Sequence, residues 1–207
     1  MYIGDYLGRR TIYSPEALAV VDAGKTPELR LTYAQLNERA NRLANGLANL
    51  AGVGHGDRVA ILALDGVEHL DVLFACGKLG AIHTALNWRL HWREWQQILA
   101  GVTPTVLIYD DAFRDGVAEL VQAEFSVRHW IHLDGPGLPG SRDFNEFLAA
   151  APTTPRIDET LVEEDIAAIV FTGGTTGLPK GAQISHRQIA WNGLNSVIHD
   201  VNRNDVY

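Results

Sequence analysis

Cysteine is almost missing from this chain. Cys76 is the only one in 207 residues, which excludes an intrachain disulfide and any zinc framework built on paired thiolates. It falls in an apolar helical stretch and reads as a small hydrophobe, an arrangement that suits a reducing cytosol. Long apolar runs are missing as well. None approaches the roughly 18 residues needed to span a bilayer, and Met1-Tyr2-Ile3-Gly4-Asp5 has neither the basic nor the apolar region of a signal peptide, so a soluble, cytoplasmic protein is expected. Positive charge is scarce, with 17 Lys and Arg against 25 Asp and Glu and a formal net charge of -8. A sequence pI near 5.4 argues against a nucleic-acid partner or an anionic membrane surface, because phosphate backbones select clustered basic residues. The eight histidines include no His-Glu-x-x-His run, and no metal site is expected from them. Internal repeats and low-complexity tracts are absent. The 46% of hydrophobic residues is ample for a buried core and excludes disorder.

Patterning sets the organisation. Thr32 and Gln35 form a capping box, after which Leu36, Ala40, Leu43, Leu47 and Leu50 recur at helical spacing, predicting an amphipathic helix over residues 33–50 that Gly52, Gly54 and Gly56 end. Residues 58–64 form a short apolar run fit for a buried strand. Val67, Leu70, Phe74 and Gly77 then recur at spacings of three and four, and a strand is expected from Gly80. Two more units follow, with a strand over 105–109 and a helix over 113–121, then a strand over 129–133 and a helix over 144–150. This alternation predicts an α/β fold, a mainly parallel sheet with helices on both faces. Residues 134–165, with four prolines among glycines, threonines and acids, read as a surface connection holding one short helix. Ser185 and Gln188 make a second capping box, with a helical face running through about residue 202.

The most informative stretch is Thr172-Gly173-Gly174-Thr175-Thr176-Gly177-Leu178-Pro179-Lys180-Gly181, directly after the apolar run 166–171. A polyphosphate needs several converging hydrogen-bond donors, and glycines let backbone N–H groups reach an anion that side chains would hold away. The hydroxyls of Thr172, Thr175 and Thr176 add donors, Lys180 adds a positive charge for the distal phosphates, and Pro179 stiffens the approach to it. The Walker A template does not fit. Pro179 stands where that template has Gly, and Gly181 where it has the magnesium-binding hydroxyl, which disfavours P-loop NTPase chemistry. Ligands in open parallel sheets bind beyond the carboxyl ends of the strands, where this loop is expected. The plain alternative is a Gly/Thr-rich surface turn between a strand and a helix.

This run resembles the phosphate loop of the adenylate-forming (AMP-binding) ligases, with Gly173 where that family usually has serine. Three further segments agree in the right order. Leu31-Thr32-Tyr33-Ala34-Gln35-Leu36 is similar to the family's early Leu-Thr-Tyr-x-Glu-Leu motif. Leu79-Gly80-Ala81-Ile82 through Leu86-Asn87-Trp88-Arg89-Leu90 is similar to its second, with an ending closer to fatty or aromatic acyl-CoA ligases. Asp165 before the loop and Ser185-His186-Arg187 after it also fit. The resemblance implies the truncated amino-terminal part of the family's fold, with residues 1–207 an amino-terminal subdomain incomplete at its carboxyl end. It implies Thr172, Gly173, Gly174, Thr175, Thr176, Gly177 and Lys180 as nucleotide-binding residues. It also implies ATP with Mg2+, a carboxylic acid and coenzyme A as co-substrates of the full-length enzyme, which would form an acyl adenylate and then a thioester. Asn204-Asp205-Val206-Tyr207 resembles the start of a strand that continues in the family, whose adenine, ribose, hinge and catalytic-lysine motifs have no counterpart here. By this reading the fragment alone is inactive and its catalytic residues are unknown. The rival readings are a non-catalytic nucleotide-binding domain and a protein-interaction fragment, which titration with ATP and magnesium would separate.

Other constellations have simpler readings. Trp88, Trp92 and Trp95 fall at i, i+4 and i+7 with Arg89 and Arg93 between them, a stripe expected to be core or interface, with a base-stacking surface as the alternative. His129 and His132 are three apart in an expected strand and point to opposite faces. His186 follows a helix cap and is expected to be structural, and the acids Glu163 to Asp165 and Asp110–Asp111 are expected to be solvated.

Overall fold

The computed structural model describes residues 4–123, 126–172 and 179–198. The chain opens with helix α1 (Tyr6–Tyr13) and an antiparallel pair, β1 (Leu18–Asp22) and β2 (Leu29–Thr32), which form a small sheet of their own. Neither was foreseen from the sequence. The alternating series then follows, with α2 (Tyr33–Ala51), β3 (Arg58–Leu62), α3 (Val67–Leu79), β4 (Ile82–Ala85), α4 (Trp92–Val102) and β5 (Val106–Tyr109); α4 was not predicted from the sequence, whereas the others were expected. After a 3-10 turn at Asp111–Phe113 come α5 (Arg114–Val121), β6 (His129–His132), β7 (Arg142–Asp143), α6 (Phe144–Ala149), β8 (Ile166–Thr172), β9 (Lys180–Ser185) and α7 (His186–Ile198).

Local chemistry accounts for the main boundaries. The Thr32 hydroxyl accepts from the Gln35 backbone N–H at 3.3 Å, and the Gln35 side chain accepts from the Thr32 N–H at 2.9 Å, satisfying two donors at the start of α2. Gly52 closes that helix in the left-handed region at φ 65°. Gly80 does the same for α3 at φ 66°, so the next strand begins at Ile82 instead of at Gly80 as the sequence suggested. The glycine there is a helix stop.

The main sheet has the order β7-β6-β5-β3-β4-β8-β9, parallel throughout except for β9, which runs antiparallel to β8. Alternation along β3 and β5 divides the interior. Val59, Ile61, Val106 and Ile108 face the side covered by α2, α3 and α6, where Leu43, Leu47, Val72, Phe144 and Phe147 fill the layer. Ala60, Leu62, Leu107 and Tyr109 face α4 and α5, against Leu99, Val117 and Leu120. Cys76 lies wholly inside the first layer, where burial pushes its thiol far above the ordinary range, so it is an inert hydrophobe. Helices therefore cover both faces, which is the α/β architecture expected.

Two ion pairs fasten the helical layer. Arg39 of α2 grips the fully buried carboxylate of Asp71 on α3 with a fork of contacts at 2.6–3.1 Å. Asp5, which caps α1 through the Gly8 N–H, also receives the ammonium of buried Lys78. Among the described residues no helix is long and apolar enough to cross a membrane.

Candidate phosphate site

The sheet presents its carboxyl edge with one element longer than the rest. Pairing of β4 with β8 ends at Thr84↔Ile169, whereas β8 pairs with β9 as far as Thr172↔Lys180. Val170 to Thr172 thus carry the hairpin about 10 Å past the last β4 pair at the rise of an extended chain. Only β9 accompanies β8 there.

Thr172 and Lys180 face each other as the last pair of this hairpin, and the Thr172 hydroxyl donates to the Lys180 carbonyl at 3.4 Å. Both residues are exposed. Gly173, Gly174, Thr175, Thr176 and Gly177 lie outside the described residues. The sequence placed the next helix after the Ser185–Gln188 cap, and α7 does begin at His186; what it did not foresee is β9, which makes the stretch a connection between two antiparallel strands. Lys180 consequently has its backbone fixed in a ladder. The next residue, Gly181, pairs with Phe171, and a Cβ there would stand 2.8 Å from Ile169 Cγ2 and 3.1 Å from the Phe171 ring. Glycine is required for the two strands to close. One flank of the hairpin borders an open groove of about 640 Å³ between α4 and the strands, with Ile98, Gly101, Ile169, Phe171, Pro179 and Gln183 in its walls.

The base of the hairpin is capped as expected. Ser185 N–H donates to the Gln188 side chain at 2.8 Å, and Gln188 N–H donates to the Ser185 hydroxyl at 3.3 Å. His186 is buried, its backbone N–H donates to the Asp165 carbonyl at 3.0 Å, and its own carbonyl accepts from the Tyr6 hydroxyl at 3.3 Å. Burial holds its ring below the usual imidazole value, with Asp165 opposing. That is the structural role expected of it. Asp165 and Glu164 are engaged with Val162 and Arg187 respectively.

The tryptophan stripe belongs to the interior. Trp95 is buried, its indole N–H donates to the Asn87 carbonyl at 3.0 Å, and Trp88 and Trp92 pack on the same layer with Arg89 and Arg93 over their rings. His132 is buried and His129 is partly exposed. Sequence spacing did not flag Ser141, His132 and Asp143, yet the structure brings them together. His132 Nδ1 lies 3.0 Å from Ser141 Oγ, and its Nε2 lies 3.7 Å from Asp143 Oδ2. The hydroxyl is already committed, donating to the Leu138 carbonyl at 2.7 Å while accepting from the Tyr109 hydroxyl and the Leu138 N–H. This set pins a turn and leaves no proton for nucleophilic activation.

Residues 9–207 match the AMP-binding enzyme family. The chain belongs to that family. Among the relatives of this AMP-binding chain, an indoleacetate–CoA ligase of Aromatoleum aromaticum is 35% identical over 215 residues, covering 99% of this chain and 39% of the relative. A long-chain-fatty-acid–CoA ligase of Thermus thermophilus is 34% identical over 172 residues, covering 83% of this chain and 31% of the relative. In architecture the AMP-binding chain is similar to the anthranilate CoA ligase AuaEII, solved with anthranoyl-AMP, with a TM-score of 0.83 at 28% identity over 90% of this chain and 35% of that one. The chain thus spans less than two fifths of the length of the curated relatives it matches.

Proposed function

We propose that the full-length protein is an ATP-dependent acid–thiol ligase that converts a fatty or aromatic carboxylic acid and ATP to an acyl adenylate and pyrophosphate, then forms a thioester with coenzyme A. The observation that carries this reading is the hairpin that projects beyond the parallel strands and sets Lys180 opposite Thr172 at its last pair, in a chain whose relatives are CoA ligases. By this reading Thr172, Thr175 and Thr176 donate hydroxyl hydrogen bonds to the triphosphate. Gly173, Gly174 and Gly177 let the backbone approach it, and Lys180 stabilises charge on the departing pyrophosphate. The chemistry is positioning and electrostatics, without proton transfer by these residues.

The donor set fits a polyphosphate, since Thr172 and Lys180 are exposed and converge at one end of the hairpin. Mg2+ would neutralise phosphate charge and accompany the nucleotide. Among the described residues no group of three or more His, Cys, Asp or Glu is arranged to hold a metal ion. Residues 1–207 would form an amino-terminal subdomain, cytoplasmic and inactive alone, that supplies the phosphate contacts while other catalytic groups come from the remaining length that its relatives possess.

Exchange of labelled pyrophosphate into ATP in the presence of fatty and aromatic acids tests this reading. Exchange by the full-length protein, abolished when the acid is omitted, is the expected result. Exchange by residues 1–207 alone would overturn the division of labour, and ATP binding without any exchange by the full-length protein would make it a nucleotide-binding domain.

A further inference from the structure

A second constellation sits at the other end of β8, away from the hairpin tip. His55 lies in the loop between α2 and β3, which is braced by the Gly54 N–H donating to Asp57 at 2.9 Å and the Gly56 N–H donating to the Gly80 carbonyl at 2.9 Å. The two nitrogens of its ring address two carboxylates. Nδ1 is 2.6 Å from Asp158 Oδ2 and Nε2 is 3.5 Å from Asp165 Oδ2. These aspartates stand at the two ends of residues 158–165, a stretch without helix or strand that leads into β8.

That stretch touches several parts of the fold. Asp158 N–H donates to the Lys78 carbonyl at 2.8 Å, Leu161 is buried, and the carbonyls of Glu163 and Asp165 accept from the N–H groups of Arg187 and His186 at the start of α7. A neutral imidazole has one N–H and can donate to one carboxylate, leaving the other opposite a lone pair. An imidazolium donates to both.

We propose that His55 is a proton-operated latch, whose imidazolium ties both ends of residues 158–165 to the α2–β3 loop and whose deprotonation releases one end, loosening the base of the β8–β9 hairpin and the start of α7. The hydrogen bond to Asp158, and then the charge of Asp165, hold the His55 ring above the usual imidazole value despite partial burial. Asp158 is held below the usual carboxylate range by Thr160 and His55, in opposition to burial. His186 from α7 is a further titratable neighbour, and burial holds its ring below the usual imidazole value. Asp57, on the loop itself, is turned to Gly54 and Thr105. The sign follows from these directions. The latch is closed below about pH 6.5 and opens as pH rises through the higher folded-state value of His55; at the acid end it is lost when its carboxylates protonate. No part of this depends on the ligase reading.

Amide hydrogen exchange on the full-length protein, corrected for the intrinsic pH dependence of exchange, tests the latch. In the wild type, protection of residues 159–165 should fall by about fivefold between about pH 6 and about pH 8.5, while in His55→Gln it should be low and flat across that range. Protection in β3 and β5 should be the same in both proteins. Identical pH profiles for the wild type and His55→Gln would overturn the proposal. An independent readout is the ring titration of His55 by NMR, where a midpoint at or below that of an unperturbed histidine would also overturn it.

Discussion

β3 and β8 belong to one sheet, with only β4 between them, and they have opposite surroundings. Val59 to Leu62 of β3 are shut away from solvent on both faces, by α2 and α3 on one side and α4 and α5 on the other. In β8, Ala167 and Ala168 are similarly buried, but Val170 and Thr172 are exposed, as are the first four residues of β9 and the stretch from Ala190 to Asn195 in α7. One strand anchors the fold and the other begins in it and leaves it. The difference teaches how a rigid sheet can hold an exposed hairpin in register while leaving the outer residues of that hairpin uncommitted to packing.

The comparison can be broken from the buried side first. Leu43 has no solvent exposure within the α2 layer, and Leu43→Ala should lower the unfolding free energy by about 2–5 kcal/mol. Denaturant titration would measure this, and nucleotide affinity of the remaining folded protein should be unchanged. From the exposed side, Lys180→Ala in the full-length protein should reduce the proposed adenylation rate on the order of 10²-fold and leave the denaturation midpoint where it was. An unchanged exchange rate would remove Lys180 from the mechanism. A smaller effect should sharpen the boundary between the two regions. Gly181→Val forces a side chain against Ile169 and Phe171, and by splaying the hairpin it should weaken ATP binding about tenfold, equivalent to about 1.4 kcal/mol. Calorimetric titration would detect it, and wild-type affinity would show that β9 can shift without consequence.

Legibility in the sequence follows the same divide. The capping box of Thr32 and Gln35, the helical spacing from Leu36 to Leu47, and the apolar runs of β3 and β5 could be read directly because each element is defined by its own residues and buries what its pattern says it buries. Apart from α4, which escaped although His91 and Glu94 cap it, the elements that escaped are chiefly those defined by a partner. β9 is Lys-Gly-Ala-Gln-Ile-Ser, mostly exposed, and it is a strand because β8 is there to pair with it. β1 and β2 depend on each other in the same way, and α1 is a short helix whose anchor, the Asp5–Lys78 contact, spans 73 positions in sequence. Of the candidate site, the residue types and their order were visible, whereas the antiparallel return that fixes Lys180 was not. His55, Asp158 and Asp165 carried no shared motif, and only the fold makes them neighbours.

The solitary cysteine has a use that its inertness confers. With no solvent exposure and a thiol that burial keeps protonated, Cys76 meets a modifying reagent only when α3 parts from the layers around it. Every labelling event therefore records an opening of the interior, and the chain carries a natural clock for how often its scaffold comes apart.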